Sequence, residues 1–562
     1  MNKRWEYYSC DEKIVEEIEQ KFKVSKLLAT ILVNRGMVED EKIRKFLEPT
    51  REDFYDPFLM PDMEIAVKRI VEAMEKKEKI MIYGDYDVDG ITSISVLQKF
   101  LTQRGMEVDS HIPNRLEEGY GLNKEAVKEI YDKGYHLMIT VDCGISATEE
   151  IAYANSLGIT TIVTDHHEPL EELPKALAVI DAKRKDNHYP FNQLAGVGVV
   201  FKLIQAIGMT LGLEEKEYLK YLDLVCVGTI SDIVPLVDEN RVIAKLGLKL
   251  VNVTKNLGLK CLLEVAGYKK IDATTVSFGI APRVNACGRM GHETEALDIF
   301  LSENLEEVQM LSNKLNEYNK IRQETEKSIV EKALTMIEQN KETQKSAIVL
   351  GSEGWHHGVI GIVSSKITDL YFKPSILVSF EEGIAKGSGR SVPGFDLHEA
   401  LCKCSKYLEK YGGHEMAVGL TLKEENFEAF KHAFEEVAKE EKVEDILPVI
   451  YVDGVVTSED MKPEFIKQLS SLEPFGEGNK VPLFAYKGLK INSIRALTDG
   501  KHLKLTLKDD NLIIDAIGFN MGHLVNDYRI EDKVDVVGVL EMNSFNGIEQ
   551  VQINLKDVMK SI

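Results

Sequence analysis

The stretch of this sequence that decides its fold is Lys79-Ile-Met-Ile-Tyr-Gly-Asp85-Tyr-Asp87-Val-Asp89-Gly90-Ile-Thr-Ser. Its apolar residues 80–83 predict a buried strand, and apolar residues at three- and four-residue steps after Gly90 predict a helix. A strand, an acidic loop and a helix in this order are typical of an open α/β sheet, which places ligands at the carboxyl ends of its strands. Three carboxylates this close repel one another unless a cation neutralises them, and hard divalent cations prefer oxygen ligands. The stretch alone leaves a metal site and an exposed acidic turn as open interpretations.

Length and composition indicate a multidomain chain with a limited set of partners. The chain has 562 residues, which predicts roughly three or four domains, and its formal net charge is −23. An acidic chain binds nucleic acid poorly unless a groove is locally positive, because phosphate contacts need Lys and Arg. The 7 cysteines are scattered and contain no Cys-x-x-Cys, so neither a zinc finger nor a disulfide framework is indicated. We expect a reducing, cytoplasmic location, since no signal peptide or membrane-spanning run is recognisable.

The pattern of strands and helices predicts five parts. Residues 1–60 predict short helices at 13–22, 26–34 and 39–46, interpreted as an accessory cap. Over residues 61–302, strands at 80–83, 108–112, 137–141 and 160–164 alternate with helices, which predicts a parallel sheet. A polar helix over 303–345 is predicted to connect this region to a second, smaller α/β region at 346–442. Alternating runs over 443–562 predict an antiparallel barrel, with an OB-fold as the leading candidate.

Chemically active side chains follow the predicted strands. Asp85 and Asp87 follow the first strand, Asp142 follows the third, and Asp165 and His166 follow the fourth. An isolated Asp after a strand is usually a helix N-cap, which is the alternative for each one alone. Because the carboxyl ends of neighbouring parallel strands meet at one edge, their recurrence favours one shared site.

Several of these motifs resemble those of the DHH phosphoesterase superfamily. The motifs are Asp-Tyr-Asp-Val-Asp-Gly at 85–90, Val-Asp-Cys-Gly at 141–144, Asp-His-His at 165–167 and Ser-Asp at 231–232. Further segments, at 113–123, 281–291, 387–391 and 412–419, are similar to the bacterial single-strand-specific exonucleases of that superfamily. The resemblance implies an α/β fold in which a parallel-sheet DHH domain is joined by a long helix to a smaller α/β DHHA1 domain. The predicted C-terminal all-β, OB-like barrel is consistent with it.

The resemblance also implies two divalent ions, Mn²⁺ or Mg²⁺, whose ligands would be Asp85, Asp87, Asp142, His166 and Asp232. Asp142 would be the best candidate for a bridging carboxylate. His167 would face the scissile phosphate or support the ligands, and Asp89 and Asp165 would orient the ligands from behind. Some members have a metal-binding His four residues before the first Asp of this run, where the present chain has Met81.

Eight polar residues are expected to contact a nucleic-acid substrate: Arg115, Arg283, Asn285, Arg289, Ser388, Arg390, Ser391 and His414. The resemblance implies that the residues at 283–289 line a strand channel, although a loop salt-bridged to nearby acids is the alternative. The Gly-rich segment 387–391 predicts a turn that cradles a phosphate with its backbone N–H groups and a guanidinium. Arg115 could hold the 5′ end of a strand or simply be solvated.

The expected activity is a 5′→3′ exonuclease that degrades single-stranded DNA to 5′-mononucleotides in repair and recombination. One alternative is a DHH-family phosphodiesterase acting on cyclic dinucleotides or short oligoribonucleotides, and another is an inactive replication scaffold. The intact carboxylates argue against the scaffold. Expected partners are single-stranded DNA, a single-strand-binding protein and a helicase. The Gly196-Val-Gly198 pair lacks the third glycine of a dinucleotide-binding motif, so helix packing is the preferred interpretation.

Overall fold

The computed structural model describes residues 3–114, 121–268, 270–510, 512–545 and 548–561. These residues form an N-terminal helical segment, two α/β regions joined by a long helix, and a C-terminal barrel. None of the helices in these ranges combines the length and the apolar character needed to cross a membrane. The fold class predicted from the sequence is confirmed.

The N-terminal segment consists of a short strand and three helices, which are β1 Arg4–Tyr7, α1 Glu12–Phe22, α2 Lys26–Asn34 and α3 Asp40–Leu47. The first two helices begin at N-cap residues, Asp11 and Ser25, whose side chains accept backbone N–H groups of the first turn. The three helices lie within one residue of the predicted bounds.

The first α/β region is built on a five-stranded parallel sheet. Its elements are α4 Met63–Lys76, β2 Ile80–Gly84, α5 Val88–Thr102, β3 Val108–His111, α6 Lys124–Asp132, β4 Leu137–Val141, α7 Thr148–Leu157, β5 Thr160–Thr164 and β6 Ala178–Ile180. The strand order is β3-β2-β4-β5-β6, and every pair is parallel. The central strands β2 and β4 are buried along their whole length, as expected for a sheet covered by helices on both faces. The edge strand β6 was not predicted, because its three residues are too few to show a recognisable pattern of apolar residues.

A group of helices completes this region and leads into the connecting helix. They are α8 Gly196–Thr210, α9 Lys216–Leu219, α10 Leu222–Ser231, α11 Asp238–Val251, α12 Leu257–Ala266, α13 Ala273–Thr275, α14 Ala281–Met290 and α15 Glu293–Leu301. Between α13 and α14 the chain makes one π-helical segment, Val276–Ile280. The connector predicted at 303–345 is the helix α16, Leu305–Gln339.

The second α/β region carries a mixed sheet. Its elements are β7 Ile348–Glu353, α17 His357–Tyr371, β8 Ser375–Glu381, β9 Ile384–Arg390, α18 Leu397–Lys403, β10 Lys410–His414, β11 Ala417–Lys423 and α19 Phe427–Glu440. The strand order is β10-β11-β9-β8-β7, in which only β7 and β8 are parallel. The segment 387–391, predicted to be a turn, instead belongs largely to the interior strand β9. Its glycines are required by packing, since a side chain at Gly389 would lie 2.9 Å from Val418.

The C-terminal region forms a closed barrel, in agreement with the prediction. Its elements are β12 Val449–Val452, β13 Gly454–Val455, α20 Pro463–Leu469, β14 Phe484–Leu497, β15 His502–Lys508, β16 Ile513–Gly518, β17 Lys533–Phe545 and β18 Ile548–Lys560. The ring closes because β14 pairs with β15 on one side and with β17 on the other. Buried and less buried residues alternate along β15, as expected when one face of a strand lines a barrel interior.

The N-terminal helices share a hydrophobic core with this barrel. Ile31 and Leu32 of α2 are buried in the same cluster as Leu503 and Val534 of the barrel. The strand β1 pairs in parallel with β12, and the indole Nε1 of Trp5 donates to Asp557 at 2.8 Å. The two ends of the chain therefore pack together as one unit.

Truncation of a shared core residue tests this arrangement. We expect Leu32→Ala to destabilise the unit by about 2–5 kcal/mol, because Leu32 is fully buried. Hydrogen–deuterium exchange should then become faster in α1–α3 and β14–β18 but not in the sheet β2–β6. The exposed Leu305 provides the control substitution, Leu305→Ala. Faster exchange confined to α1–α3 would contradict a shared core.

Candidate metal centre

The parallel sheet brings four carboxylates to one edge. Asp85, Asp142, Asp165 and Asp181 each follow one of the adjacent strands β2, β4, β5 and β6. The backbone continues the sheet at this edge, since the Asp142 N–H donates to Thr164 O and the Asp165 N–H donates to Ile180 O, both at 3.1 Å. All four carboxylate residues are buried. The sequence did not single out Asp181, since its strand was not recognised.

The turn after β2 directs Asp85 and Asp87 toward this edge. Asp87 is the N-cap of α5, and its Oδ1 accepts the N–H groups of Asp89 and Gly90 at 2.9 and 3.1 Å. Gly90 is required there, because a side chain at this position would lie 2.3 Å from the carbonyl oxygen of Asp85. Asp142 is held in the left-handed region, with φ of 59°, so its side chain turns back toward the same loop.

Asp89 is held by the first turn of helix α8. Its Oδ2 and Oδ1 accept the N–H groups of Gly196 and Val197 at 2.6 and 2.8 Å. A helix N-terminus stabilises a negative charge. The glycine at 196 also makes room for the site, since a side chain there would lie 2.7 Å from the carboxylate of Asp142. Gly196 thus belongs to the site as well as to helix packing, a role that the sequence pattern did not indicate.

His166 lies at the centre of the carboxylates. Its Nε2 is 3.1 Å from Asp142 Oδ1, 3.6 Å from Asp232 Oδ2 and 3.8 Å from Asp89 Oδ2. Three sets of residues offer ligand atoms within 4.8 Å of one another: Asp85 with Asp87 and Asp142, Asp89 with His166 and Asp232, and Asp142 with His166 and His167. The five residues proposed as ligands from the sequence are therefore brought together. Asp89 lies beside His166 and Asp232, while both of its carboxylate oxygens accept backbone N–H groups of α8.

His167 is oriented by Asp165. The His167 Nδ1 lies 2.7 Å from Asp165 Oδ1, and the other oxygen of Asp165 accepts the Ile145 N–H at 2.8 Å. Burial by itself would lower the pKa of His167, but the hydrogen bond to Asp165 and the charges of neighbouring carboxylates raise it above its usual value. The pKa of Asp165 is lowered despite its burial, because His167 and backbone N–H groups stabilise its charged form.

Burial and mutual repulsion perturb the other ionisable groups. Burial, together with the charges of Asp89 and Asp87, raises the pKa of Asp232 to about 9. The same causes raise the pKa of Asp142 well above its ordinary value, and burial with the Asp87 charge raises that of Asp89 to about 7. Burial, and next the neighbouring His167, lower the pKa of His166 to about 3. Burial and mutual repulsion thus favour the protonated forms of these carboxyl groups, and burial favours the neutral form of the His166 imidazole.

These residues fit a divalent metal. The buried His166 Nε2 makes no hydrogen bond, although three carboxylate oxygens surround it. A neutral imidazole among carboxylate oxygens suits Mn²⁺, and a set made only of carboxylates suits Mg²⁺ or Mn²⁺. One cation at Asp85, Asp87 and Asp142 and a second at His166 and Asp232 would balance the carboxylate charges.

Helix α14 packs over the acidic turn and reaches the second α/β region. Asn285 Oδ1 accepts the N–H of Val88 at 3.2 Å, at the first residue of α5. Arg289 donates from Nη1 to the carbonyl oxygen of Gly358, at the start of α17, at 2.7 Å. Arg283 donates to Asn316 Oδ1 at 3.0 Å and to Gly279 O at 2.5 Å. The segment 281–291 is therefore largely a helix that joins three elements, rather than a loop.

The remaining predicted substrate residues lie in the second α/β region. Ser388 and Arg390 lie against Gly361 of α17, and Arg390 Nη1 donates to Ser388 Oγ at 3.1 Å. Ser391 is buried and its hydroxyl donates to Phe395 O at 2.7 Å. His414 is exposed on the edge strand β10, in the same row across the sheet as Arg390. Arg115 lies outside the described residues.

A large cavity opens beside the metal centre. Its volume is about 1090 Å³, and residues on both sides of Asp232 line it. Five basic side chains and two acidic ones contribute to its wall: Arg289, Arg322, Lys327, Lys366, Lys480, Glu326 and Glu477. Two exposed apolar residues, Ile233 and Phe278, also line it. The sequence did not indicate either residue, because an exposed apolar side chain does not belong to the periodic pattern of apolar residues that marks a buried face.

Comparisons with known proteins match every region that contributes to this arrangement. Family models match at residues 79–229 (DHH family, N-terminal domain), 344–440 (DHHA1 domain) and 452–557 (RecJ OB domain). The chain is 40% identical over 564 residues to the single-stranded-DNA-specific exonuclease RecJ of Bacillus subtilis, covering 99% of this chain and 71% of the relative. It is 34% identical over 533 residues to the same exonuclease of Haemophilus influenzae, covering 91% and 92% of the two chains.

The solved structures agree with these matches. The structure of RecJ in complex with Mn²⁺ from Thermus thermophilus superimposes with a TM-score of 0.87 and 31% identity, covering all of this chain and 80% of that one. A structure of exonuclease RecJ bound to manganese superimposes with a TM-score of 0.62 and 36% identity, covering 69% and 97%.

The close approach at Gly196 yields a first test of the metal centre. We expect Gly196→Ala to weaken Mn²⁺ binding by about 10- to 100-fold, because the added methyl group displaces the Asp142 carboxylate. Calorimetric titration with Mn²⁺ measures this change. Gly198→Ala, two residues further along the same helix, is the matched control, since its nearest neighbour would lie at 3.3 Å on a flexible Leu194 side chain. Equal Mn²⁺ affinity in the two variants would contradict the proposed packing.

The raised carboxyl pKa values predict a pH-dependent response to metal. In the metal-free protein, burial and neighbouring carboxylates raise the pKa of folded Asp232 to about 9, above its unfolded value of 3.8. The protonated carboxyl group therefore stabilises the folded state fully below pH 3.8, and this stabilisation is lost as the pH rises through about 9. Because cations pair with the ionised carboxylates, Mn²⁺ should raise the thermal midpoint more at about pH 8.5 than at about pH 6. Thermal unfolding with EDTA or Mn²⁺ measures this difference, and Asp232→Asn should reduce it. A Mn²⁺ effect that is the same at both pH values would contradict the assigned cause.

Proposed function

The chain belongs to the RecJ family, and from that membership we propose that it is a metal-dependent exonuclease that degrades single-stranded DNA from the 5′ end to 5′-mononucleotides. The observation that carries this proposal is that a cavity with basic side chains in its wall is lined by the residues on both sides of Asp232 and so lies beside the carboxylate cluster. The net charge of the whole chain is −23, yet basic side chains outnumber acidic ones in the cavity wall by five to two. A cavity of this charge attracts a phosphate backbone, whereas the rest of the surface repels it.

Divalent cations, Mn²⁺ or Mg²⁺, bound by the carboxylates would neutralise phosphate charge, activate a water and stabilise the departing oxygen. The chain's own residues place the reacting groups. Burial lowers the pKa of His166, which keeps Nε2 available as a ligand, whereas the hydrogen bond to Asp165 raises the pKa of the half-buried His167, whose ring would donate to a phosphate oxygen. Asp165 holds the His167 ring in one orientation through Nδ1.

The cavity also favours single strands over duplexes. Phe278 lies on the π-helical segment and is 74% exposed, so its ring is accessible to an unstacked base. Aromatic rings bind single-stranded bases by stacking with little sequence preference. Arg289, Lys366 and Lys480 come from three different parts of the chain, which places cations around the path of one strand. In a duplex the bases stack on one another, which covers the faces that the Phe278 ring would contact.

The proposal extends to the cellular context. A helicase would generate the single-stranded substrate, and a single-strand-binding protein would coat it before degradation. Both would be met in the cytoplasm during DNA repair and recombination. These two partners are inferred from the single-stranded substrate, which must be unwound from a duplex and is coated by proteins that bind single strands.

Degradation of an end-labelled DNA tests the proposed function. With Mn²⁺ and a long single strand, a 5′ label should be released as a mononucleotide before any 3′ label, while blunt duplex remains intact. Asp142→Asn should abolish release, since Asp142 contributes to two of the three ligand sets. The control is Asp369→Asn, which makes the same charge change on an exposed face of α17.

Two results would overturn the proposal in different ways. Release of the 3′ label first would contradict the assigned direction. An intact long strand, together with cleavage of a cyclic dinucleotide or a short oligoribonucleotide, would instead indicate a small-substrate phosphodiesterase.

A further inference from the structure

The turn that carries Asp232 has an unusual backbone. Asp232 ends helix α10, and the next residue, Ile233, has φ of 62° in the left-handed region. A β-branched side chain is strained there, and such a conformation persists only where surrounding contacts impose it. Ile233 is also 70% exposed, so its own side chain provides little of that restraint. The contacts that hold residues 232–237, here called the Asp232 turn, must come from elsewhere.

A loop of the C-terminal region supplies these contacts. In this loop, residues 473–480, the carbonyl oxygen of Glu477 accepts a hydrogen bond from the N–H of Leu236 at 2.7 Å. Its two glycines let the backbones meet: a side chain at Gly476 would lie 2.7 Å from Leu236, and one at Gly478 would lie 2.9 Å from Pro235. The 473–480 loop therefore packs closely against the Asp232 turn, at Gly476 on the Leu236 side chain and at Gly478 on the rigid ring and backbone of Pro235.

The loop is itself fixed by a buried arginine of the first α/β region. Arg241, on α11, is 1% exposed, and its hydrogen-bond partners are backbone carbonyls from two other regions. Its Nε donates to Phe46 O at 2.6 Å, and its Nη2 donates to Glu473 O at 3.0 Å. Weaker contacts, at 3.4 Å, reach Pro474 O and Ser471 O. A buried guanidinium is costly, so its contacts with both ends of the chain point to a function in positioning the loop.

Two further contacts complete the restraint. Asn479 is buried, and its side-chain amide donates to Leu472 O and Pro474 O at 2.8 Å, which holds the loop in one shape. On the opposite side of the Asp232 turn, Asn240 donates to Pro235 O at 3.0 Å. The turn is thus held between α11 and the 473–480 loop.

We propose that the 473–480 loop, fixed by Arg241, is a positioning element that holds Asp232 in its place in the metal centre. The C-terminal region would then contribute to metal binding in the first α/β region without providing a ligand. The inference deepens the proposed metal-dependent function and rests on it. It also predicts that metal affinity responds to changes in a loop that touches no metal ligand directly.

A pair of glycine variants tests this inference. Gly478 and Gly488 both have positive φ, 68° and 73°, so replacement by Ala strains the backbone to a similar extent. At Gly488 a new methyl group would meet nothing within 4 Å, whereas at Gly478 it would press on Pro235. We expect Gly478→Ala to weaken the binding of one of the two Mn²⁺ ions by about 10- to 100-fold and Gly488→Ala to leave both unchanged. Calorimetric titration of the full chain with MnCl₂ measures both affinities, and Asp232→Asn shows the effect of losing the ligand.

Arg241→Met is the second variant, since it removes the hydrogen bonds to the loop and retains apolar volume. We expect the same selective loss of Mn²⁺ affinity, together with a lower thermal midpoint, because the buried carbonyl oxygens of Phe46 and Glu473 lose their donor. Unchanged Mn²⁺ binding in folded Gly478→Ala and Arg241→Met would overturn the inference. Failure of the wild-type chain to degrade single-stranded DNA, with these affinity changes intact, would overturn the proposed function and leave the inference standing.

Discussion

Repulsion among buried carboxylates is the interaction on which the rest of this structure depends. Carboxylate oxygens of Asp89, Asp142 and Asp232 lie 3.1–3.8 Å from the imidazole Nε2 of His166, and Asp85 lies beside Asp142. Asp85, Asp89 and Asp142 are buried, so water screens their charges only weakly. The first turn of α8 stabilises the negative charge of Asp89 in this cluster. A divalent cation bound at this edge of the sheet would stabilise the ionised carboxylates. It would also attract a substrate phosphate to a position beside these residues.

The same constraint explains why several regions of the chain converge on one cavity. Helices α14, α16 and α17 line the cavity beside the carboxylates with cationic side chains, and the 473–480 loop contributes Lys480 to its wall. Asn285 and Arg289, four residues apart on α14, bind the acidic turn and the second α/β region respectively. A single helix thereby sets the distance between the metal centre and the region that is expected to hold the strand.

Local patterns predicted a large part of this structure, and long-range packing decided the rest. The strands 137–141 and 160–164 were predicted to the residue, since continuous apolar runs between polar loops show strands clearly. The convergence of Asp85, Asp142 and His166 followed from the parallel order of those strands. In contrast, the contact of Gly196 with Asp142, the hydrogen bonds of Asp89 to the first turn of α8 and the buried position of Ser391 depend on residues far away in sequence. The N-terminal helices were likewise predicted correctly, while their shared core with the barrel was not, because amphipathic helices do not specify a partner.

The most direct test of the account is a crystal structure of this protein grown with MnCl₂, with anomalous differences recorded at the manganese edge. The account predicts two strong peaks at the carboxyl edge of the parallel sheet, one bounded by Asp85, Asp87 and Asp142, and one bounded by His166 and Asp232. Absence of peaks at this edge from a protein that diffracts well, or peaks only elsewhere on the surface, would contradict it.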